Sequence, residues 1–125
     1  MNILDTIVER KRAEVADRKQ LKALDMIKAD PFYTRKTISL VEGLSKPNAS
    51  GIIAEFKRKS PSKGVINDRV DPVEVTQAYQ ASGASAVSIL TDSHFFGGDD
   101  QDLLRARQVL TIPILRKEFI IDEYQ

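Results

Sequence analysis

The sequence contains no cysteine and only one histidine, His94. Without cysteine there is no disulfide framework, no thiolate metal site and no thiol nucleophile. A single histidine also excludes a histidine-rich metal site within one chain. These two absences predict a protein without a metal site of its own.

The sequence also lacks a charge excess and a long hydrophobic run. It has 19 Lys+Arg against 18 Asp+Glu, a net charge of +1, whereas nucleic-acid-binding domains usually carry a basic surplus. Charges interrupt the apolar positions of the first ten residues, which is not typical of a signal peptide. No stretch is long enough to span a membrane. We therefore expect a cytoplasmic protein with no nucleic-acid or membrane partner.

The remaining composition is that of an ordinary globular protein. The chain has 125 residues and a mass of 14.0 kDa, with 42% hydrophobic and 30% charged residues. Because a domain typically has ~150 residues, the chain is long enough for one domain at most. The scaling of accessible surface area with mass allows about two thirds of the surface of the unfolded chain to be buried on folding. A sizeable hydrophobic core is therefore expected.

Residues 1–50 show a helical pattern. Apolar residues recur at helical intervals over about 3–27 and predict one or two amphipathic helices. These end at Asp30-Pro31, because proline disfavours the α conformation in the residue before it. A second short helix is predicted over 32–44, followed by a turn-forming linker over 46–51. We assign residues 1–50 to an N-terminal helical extension and linker.

After residue 51, short apolar runs alternate with glycine-bearing loops and helix-like stretches, which is typical of βαβ units. The predicted elements are a strand 52–57, a loop 58–70, a helix 71–82, a strand 86–91, a loop 92–98, a helix 99–110 and a strand 112–117. We assign residues 51–125 to about three parallel strands of an α/β fold. Because parallel sheets are normally covered on both faces, three strands do not complete such a domain.

The first predicted strand carries two opposite charges on one face. Side chains alternate along a strand, so Ile53, Glu55 and Lys57 point the same way. Burial of a carboxylate and an ammonium is unfavourable unless they pair or line a polar pocket. Their position near the carboxyl end of the strand is where α/β folds bind ligands. The pattern indicates an active-site pair, with a structural ion pair as the alternative.

A second lysine, Lys117, ends the third predicted strand and corresponds to Lys57 on the first. A lysine that is desolvated or lies beside another cation has a lowered pKa and can donate a proton near neutral pH. The alternative is a lysine that caps the sheet in solvent. The run from Arg58 to Gly64 combines hydroxyls, cations and turn formers and weakly indicates an anion site. It lacks the P-loop pattern, and a solvated surface is the alternative.

Two adjacent aromatic residues, Phe95 and Phe96, lie in the loop after the second strand. One of them can form a wall for an aromatic substrate, or both can pack beneath the loop. His94 is expected to be exposed. Asp99 and Asp100 are expected to cap the next helix rather than bind a metal.

These segments together resemble the indole-3-glycerol phosphate synthase family. The resemblance rests on four ordered motifs, at 53–64, at 83–84 with 88–92, at 95–98 and at 113–121. It implies an α/β fold that is the N-terminal part of a (β/α)8 TIM barrel, preceded by a helical extension, in a tryptophan-pathway lyase without a cofactor. Such barrels need ~200 residues or more. The chain therefore resembles the N-terminal half, and we expect a missing C-terminal half of the barrel as its partner.

The resemblance also implies a substrate and three catalytic residues. The full enzyme converts 1-(2-carboxyphenylamino)-1-deoxyribulose 5-phosphate, an anionic phosphosugar–anthranilate compound, to indole-3-glycerol phosphate by ring closure, decarboxylation and dehydration. Lys117 resembles the general acid that protonates the substrate carbonyl. Glu55 and Lys57 resemble the pair that binds substrate and assists proton transfer in dehydration.

Three further positions resemble substrate contacts of the family. Ser60 resembles a polar contact, and Phe96 and Phe119 resemble the apolar walls around the anthranilate ring. Glu118 stands where the family commonly has Asp, a small departure. The family's second catalytic glutamate, its asparagine and its phosphate-binding loops belong to the other half. We therefore expect little activity from these 125 residues alone.

Three alternatives remain open. The chain can belong to another phosphosugar barrel enzyme such as an isomerase, although the Glu55, Lys57 and Ser60 motif argues against it. It can instead be a non-catalytic half-barrel that self-associates or pairs with a complementary chain, because the apolar third strand is expected at an open sheet edge. An RNA site at 57–63 is the weakest alternative, because the overall charge is balanced.

Overall fold

The computed structural model describes all of residues 1–125. Its elements, in chain order, are α1 (Ile3–Leu21), α2 (Leu24–Lys28), α3 (Leu40–Ser45), β1 (Ile53–Phe56), β2 (Lys59–Ser60), β3 (Gly64–Val65), α4 (Pro72–Ala81), β4 (Ala86–Leu90), α5 (Asp100–Val109) and β5 (Ile114–Lys117). They form two compact units, one of Met1–Lys36 with Phe119–Gln125 and one of Thr37–Glu118. The division into residues 1–50 and 51–125 stays a prediction. None of the helices combines the length and apolar composition needed to cross a bilayer.

The first unit begins with a capped helix. The side chain of Asn2 accepts a hydrogen bond from the Asp5 backbone N–H at 2.9 Å, and the Asp5 carboxylate accepts one from Asn2 N–H at 3.3 Å. This reciprocal arrangement satisfies two backbone donors at the start of α1. The predicted helical stretch over 3–27 forms two helices. The second ends at Lys28, before the predicted Asp30-Pro31 stop.

The C-terminal segment of this unit is anchored on α1. Lys19 Nζ lies 2.7 Å from Asp122 Oδ2. The hydroxyl of Tyr124 lies within hydrogen-bond distance of two carbonyls at the end of α1, those of Arg18 at 2.9 Å and Lys22 at 2.6 Å. The Arg18 carbonyl also accepts the backbone N–H of Lys22 at 2.9 Å. The hydroxyl of Tyr124 therefore joins the C-terminal segment to a helix end that is already closed by its own backbone.

The helix predicted over 32–44 is much shorter in the structure. Residues 31–34 form a turn, and α3 begins only at Leu40. Its start is set by Ser39, whose hydroxyl accepts a hydrogen bond from the Glu42 backbone N–H at 3.1 Å. Serine favours the cap position because it competes with the backbone inside a helix. The prediction that Phe32 and Tyr33 are helical was wrong.

The second unit is built on a parallel sheet with the strand order β1-β4-β5. This confirms the three predicted parallel strands. The crossover helix α4 begins where Asp71 accepts a hydrogen bond from Val73 N–H at 2.9 Å, with Pro72 at the first helical position. Gly83, with a φ of +97°, follows the helix in a conformation that glycine adopts readily. Asp71, Pro72 and Gly83 mark the predicted bounds of the helix.

One face of this sheet forms the hydrophobic core. Phe56, Val87 and Ile89, which point to the same side of β1 and β4, pack with Ala106 and Leu110 of the α5 region. All five are buried. Burial of each of the larger side chains stabilises the folded chain by roughly 1.5–3 kcal/mol. The opposite face carries the other alternate set of residues, which includes Glu55.

The predicted loop 58–70 contains a small hairpin that the sequence did not indicate. Strands β2 and β3 pair antiparallel, with Lys59 opposite Val65 and Ser60 opposite Gly64. Gly64 has a φ of +65°, a region that residues with a Cβ rarely adopt. Strands of two residues are too short to show the alternation by which strands are predicted.

Candidate functional site

A cavity of about 460 Å³ opens on the face of the sheet opposite the core. Its lining residues are Ile53, Glu55, Ser88, Leu115, Arg116, Lys117 and Glu118. The register explains the grouping, because Glu55 lies opposite Ser88 on β4, and Ser88 lies opposite Leu115 on β5. Residues that are opposite each other in neighbouring strands point to the same face. The charged groups lie near the carboxyl ends of the strands, the usual ligand-binding end of such sheets.

The carboxylate of Glu55 lies between two lysines. Lys117 Nζ donates a hydrogen bond to Oε2 at 2.8 Å, and Lys57 Nζ lies 3.5 Å from Oε1. The serine at the centre of the sheet, Ser88, donates to Oε2 at 3.1 Å. The structure thus brings together the three residues that the sequence selected as catalytic candidates. Their catalytic roles stay predictions.

These contacts determine the ionisation of Glu55. Burial raises the pKa of the Glu55 carboxyl, but the hydrogen bond and charge of Lys117, the Ser88 hydroxyl and the charge of Lys57 together outweigh burial. The net effect lowers the pKa of Glu55 from its ordinary value. Glu55 is therefore a carboxylate at neutral pH, able to accept a proton or to hold a lysine ammonium in place.

This shift predicts an acid-dependent contribution to stability. The pKa of Glu55 in the folded chain lies below its ordinary value of 4.5. Its contribution to the free energy of unfolding is therefore fully present above pH 4.5. It is lost as the pH falls through the folded-state pKa. The difference in free energy of unfolding between the wild-type chain and Glu55→Gln should therefore shrink on acidification. Urea unfolding of both proteins from pH 7 to pH 3 measures it, and a difference that grows on acidification would contradict the assignment.

The two lysines are only partly desolvated. The side chain of Lys117 is 53% exposed and that of Lys57 is 34% exposed. Partial exposure leaves Lys117 accessible to a bound molecule while Glu55 holds its ammonium at the cavity. An ammonium in this position can donate a proton to a carbonyl oxygen within hydrogen-bond reach. No group of three or more His, Asp or Glu side chains is arranged to hold a metal ion.

The three predicted substrate contacts lie in different places. Ser60 is 8% exposed, and its hydroxyl accepts a hydrogen bond from Lys63 N–H at 3.2 Å within the β2–β3 hairpin. Phe96 is half-buried in the loop after β4. Phe119 belongs to the first unit, where its carbonyl accepts a hydrogen bond from the side chain of Gln125 at 2.9 Å. The substrate-binding roles of all three stay predictions.

The loop that carries Phe96 is organised by Asp92, which the sequence analysis did not select. Asp92 is 1% exposed, and its Oδ2 accepts hydrogen bonds from the N–H groups of Phe95 at 2.8 Å and Phe96 at 3.2 Å. An aspartate directly after a buried strand and before turn residues is a signal for such a side-chain turn. As predicted, His94 is exposed and Asp99 caps α5.

A second missed feature is an ion pair between the end of β1 and α5. The guanidinium of Arg58 forms a bidentate pair with the Asp102 carboxylate, and it also donates to the Gly97 carbonyl at 3.1 Å. It lies over the Phe56 ring, 5.0 Å from the centroid. The hydrogen bond with Asp102 raises the pKa of Arg58. Arg58 thus ties the end of β1 to α5 through Asp102, and to the loop that bears Phe96 through the Gly97 carbonyl.

We expect Arg58→Met to destabilise the chain by about 2–4 kcal/mol, because the Asp102 carboxylate, whose side chain is only 7% exposed, would lose its charged partner. The matched control is Arg105→Met. Arg105 pairs with Asp71 at 3.1 Å, but both side chains are 44–49% exposed, so the control should cost at most about 1 kcal/mol. Urea unfolding measures both variants. Equal losses would contradict the importance of the Arg58–Asp102 pair.

Comparison with known proteins gives one consistent family. The family model described as indole-3-glycerol phosphate synthase matches residues 4–125. A protein of that name from Bacteroides thetaiotaomicron is 46% identical over 124 residues, which are 99% of this chain and 47% of the relative. A relative of the same name from Rhodococcus opacus is 42% identical, and the match covers 100% of this chain and 46% of the relative. Another from Halalkalibacterium halodurans is also 42% identical, and the match covers 98% of this chain and 45% of the relative. The chain spans about half the length of the curated relatives that it matches.

Proposed function

Because the chain belongs to the indole-3-glycerol phosphate synthase family, we propose that it supplies part of the active site of that enzyme from the first three strands of its barrel. The observation that carries this proposal is the Glu55 carboxylate held between Lys57 and Lys117 beside a cavity at the carboxyl ends of the strands. Active sites of such barrels lie at that end.

In the proposed reaction, Lys117 is the general acid of ring closure. The ring carbon of the anthranilate moiety that bears the carboxylate attacks the substrate carbonyl carbon, and the carbonyl oxygen takes the proton of Lys117 to become a hydroxyl. Carbon dioxide then leaves from the attacking carbon. A base then removes a proton from the carbon that lies between the nitrogen and the former carbonyl carbon, and the hydroxyl leaves as water with a proton donated by an acid, which completes the aromatic indole. Glu55 and Lys57 assist the proton transfers of this last step.

The electrostatics of the site support this division of roles. The substrate carries a carboxylate and a phosphate, Lys117 lines the cavity, and Lys57 lies close by beside Glu55. Ammonium groups at these positions can pair with an anion. Glu55 is ionised at neutral pH because its pKa is lowered. It can therefore hold the Lys117 ammonium toward the cavity and later accept or relay a proton. Separate acid and base groups that share one site are the usual arrangement for a reaction with several proton transfers.

The experiment uses a fused protein that joins residues 1–125 to the part of the Bacteroides thetaiotaomicron relative that lies beyond its matched region. We expect this fused protein to form indole-3-glycerol phosphate from the anthranilate-bearing substrate, and not to isomerise a related phosphoribosyl compound. Isomerisation without indole formation would favour the alternative of a phosphosugar isomerase. The 125-residue chain alone, assayed in parallel, should show little turnover.

A second candidate function, a self-associating half-barrel, is favoured by the open sheet edge. Strands β1 and β5 are the outer strands of the sheet. Ile53 and Leu115, on the cavity face of these strands, are each 41% exposed. An edge strand presents unpaired backbone groups that can pair with another chain.

We expect the 125-residue chain to self-associate in solution for this reason. Light scattering as a function of concentration should show the weight-average mass rising above 14.0 kDa. The matched variant Leu115→Lys places a charge on the outer strand and should shift the chain toward monomer. A well-folded wild-type monomer at high concentration would contradict the prediction.

A further inference from the structure

Ser88 is a buried hydroxyl that faces the cavity from the central strand. Its residue is 2% exposed, and it lies opposite Glu55 on one side and Leu115 on the other. Buried polar groups carry a cost unless they are hydrogen-bonded. An apolar residue of similar size would fill this position without that cost. Packing alone therefore does not account for a hydroxyl at this position.

The hydroxyl of Ser88 has a hydrogen-bond partner in the candidate site. Ser88 Oγ donates to Glu55 Oε2 at 3.1 Å, the same oxygen that accepts from Lys117 at 2.8 Å. The other oxygen, Oε1, lies 3.5 Å from Lys57. One carboxylate oxygen thus faces each lysine, and Ser88 donates its hydrogen bond to the oxygen on the Lys117 side.

Among the three partners of the carboxylate, Ser88 has the least conformational freedom. It has one rotatable side-chain bond and sits in β4, which is paired with a strand on each side. Lysine side chains, in contrast, have four rotatable bonds and lose considerable entropy when fixed. A short donor on a rigid strand is suited to fix the rotation of a carboxylate that two mobile lysines share.

We propose that Ser88 is a positioning residue, which holds the Glu55 carboxylate so that its two oxygens face Lys117 and Lys57 separately. The consequence of this arrangement for turnover rests on the proposed function. The arrangement itself is a property of the 125-residue chain and can be tested without substrate.

The test is the titration of the Glu55 side-chain carboxyl, followed by carbon-13 NMR, in the wild-type chain and in Ser88→Ala. A hydroxyl that donates to a carboxylate favours the charged form, so its removal should raise the pKa of Glu55. The matched control is Ser85→Ala. Ser85 is also buried, at 5% exposed, but its hydroxyl accepts from Gly51 N–H at 2.9 Å and does not contact Glu55.

We expect the titration midpoint of Glu55 to move upward in Ser88→Ala and to stay unchanged in Ser85→Ala. An unchanged midpoint in folded Ser88→Ala, or an equal change in both variants, would overturn the proposal. Ser88→Cys provides a second variant of similar size, whose thiol is a weaker donor. Its midpoint should lie between those of wild type and Ser88→Ala, and a midpoint at the wild-type value would also count against the proposal.

A kinetic measurement in the fused protein tests the consequence for turnover. Ser88→Ala should lower kcat roughly tenfold, as expected for loss of a hydrogen bond to a charged group. KM should change little, because the carboxylate remains present. If the wild-type fused protein is inactive, the proposed function fails while the titration still decides the role of Ser88. If the fused protein is active and Ser88→Ala changes neither the Glu55 titration nor kcat, the positioning role of Ser88 is rejected and the proposed function stands.

Discussion

Lys117→Ala in the fused protein should lower kcat for indole formation by about 10²–10⁴-fold, the usual contribution of a positioned general acid. Alanine removes the only group that the account assigns to protonate the carbonyl oxygen. Steady-state kinetics with the anthranilate-bearing substrate measures the effect. Lys46→Ala is the control and should leave kcat unchanged, because Lys46 is an exposed lysine in the linker before β1.

The same variant should also change the ionisation of Glu55. The hydrogen bond and charge of Lys117 are the largest contributions that lower the pKa of Glu55, so their loss should raise that pKa. A carbon-13 titration of the variant chain measures this shift independently of turnover. If the variant raised the Glu55 pKa as expected but left kcat unchanged, the general-acid role of Lys117 would be rejected. The ion pair of Glu55 and Lys117 in the wild-type chain would then be a structural feature only.

Gly98→Ala should lower the free energy of unfolding by more than about 3 kcal/mol. Gly98 is buried after the loop that carries Phe96, and its N–H donates to the Asp92 carbonyl at 2.7 Å. An added Cβ would lie 2.9 Å from Thr91 Cα and closer still to the Leu90 carbonyl. These are backbone atoms of the strand end, which cannot move aside as a side chain can.

The control for this effect is Gly83→Ala. Gly83 has a φ of +97° but no atom within 4 Å of an added Cβ, so alanine there meets only the conformational cost of about 1–2 kcal/mol. Thermal and urea unfolding compare the two variants. Equal destabilisation would show that the strand end moves to accept a Cβ at Gly98, contrary to the account.

The features that sequence analysis predicts best are those with local causes. Asp71-Pro72 and Gly83 bound α4 because capping and the left-handed conformation depend on the residues themselves. The alternation of side chains along β1 correctly placed Glu55 on the face opposite Phe56. The approach of Lys117 to Glu55 follows once the strands are parallel. The charged centre of the candidate site was therefore accessible from the sequence.

The features that it missed depend on partners distant in the chain. The contact of Arg58 with Asp102 spans 44 residues, and that of Ser88 with Glu55 spans 33. Neither has a spacing signal, because the crossover helix and the register bring the partners together. The predicted start of the second helix was wrong for a local reason, because Ser39 caps α3 and the spacing of apolar residues does not show a cap. Polar residues inside buried strands, such as Ser88, are the sequence signal of such contacts.

In the proposed site Glu55 holds the Lys117 ammonium toward the cavity, so the two residues should act as one unit in turnover. A double-mutant cycle in the fused protein tests this most directly. The measurement is kcat for the wild-type protein, Glu55→Gln, Lys117→Ala and the double variant. If the two residues act as a unit, the double variant should be about as slow as the slower single variant, because effects within such a unit are not additive. An inactive but folded wild-type fused protein, or losses that multiply as for independent residues, would contradict the claim.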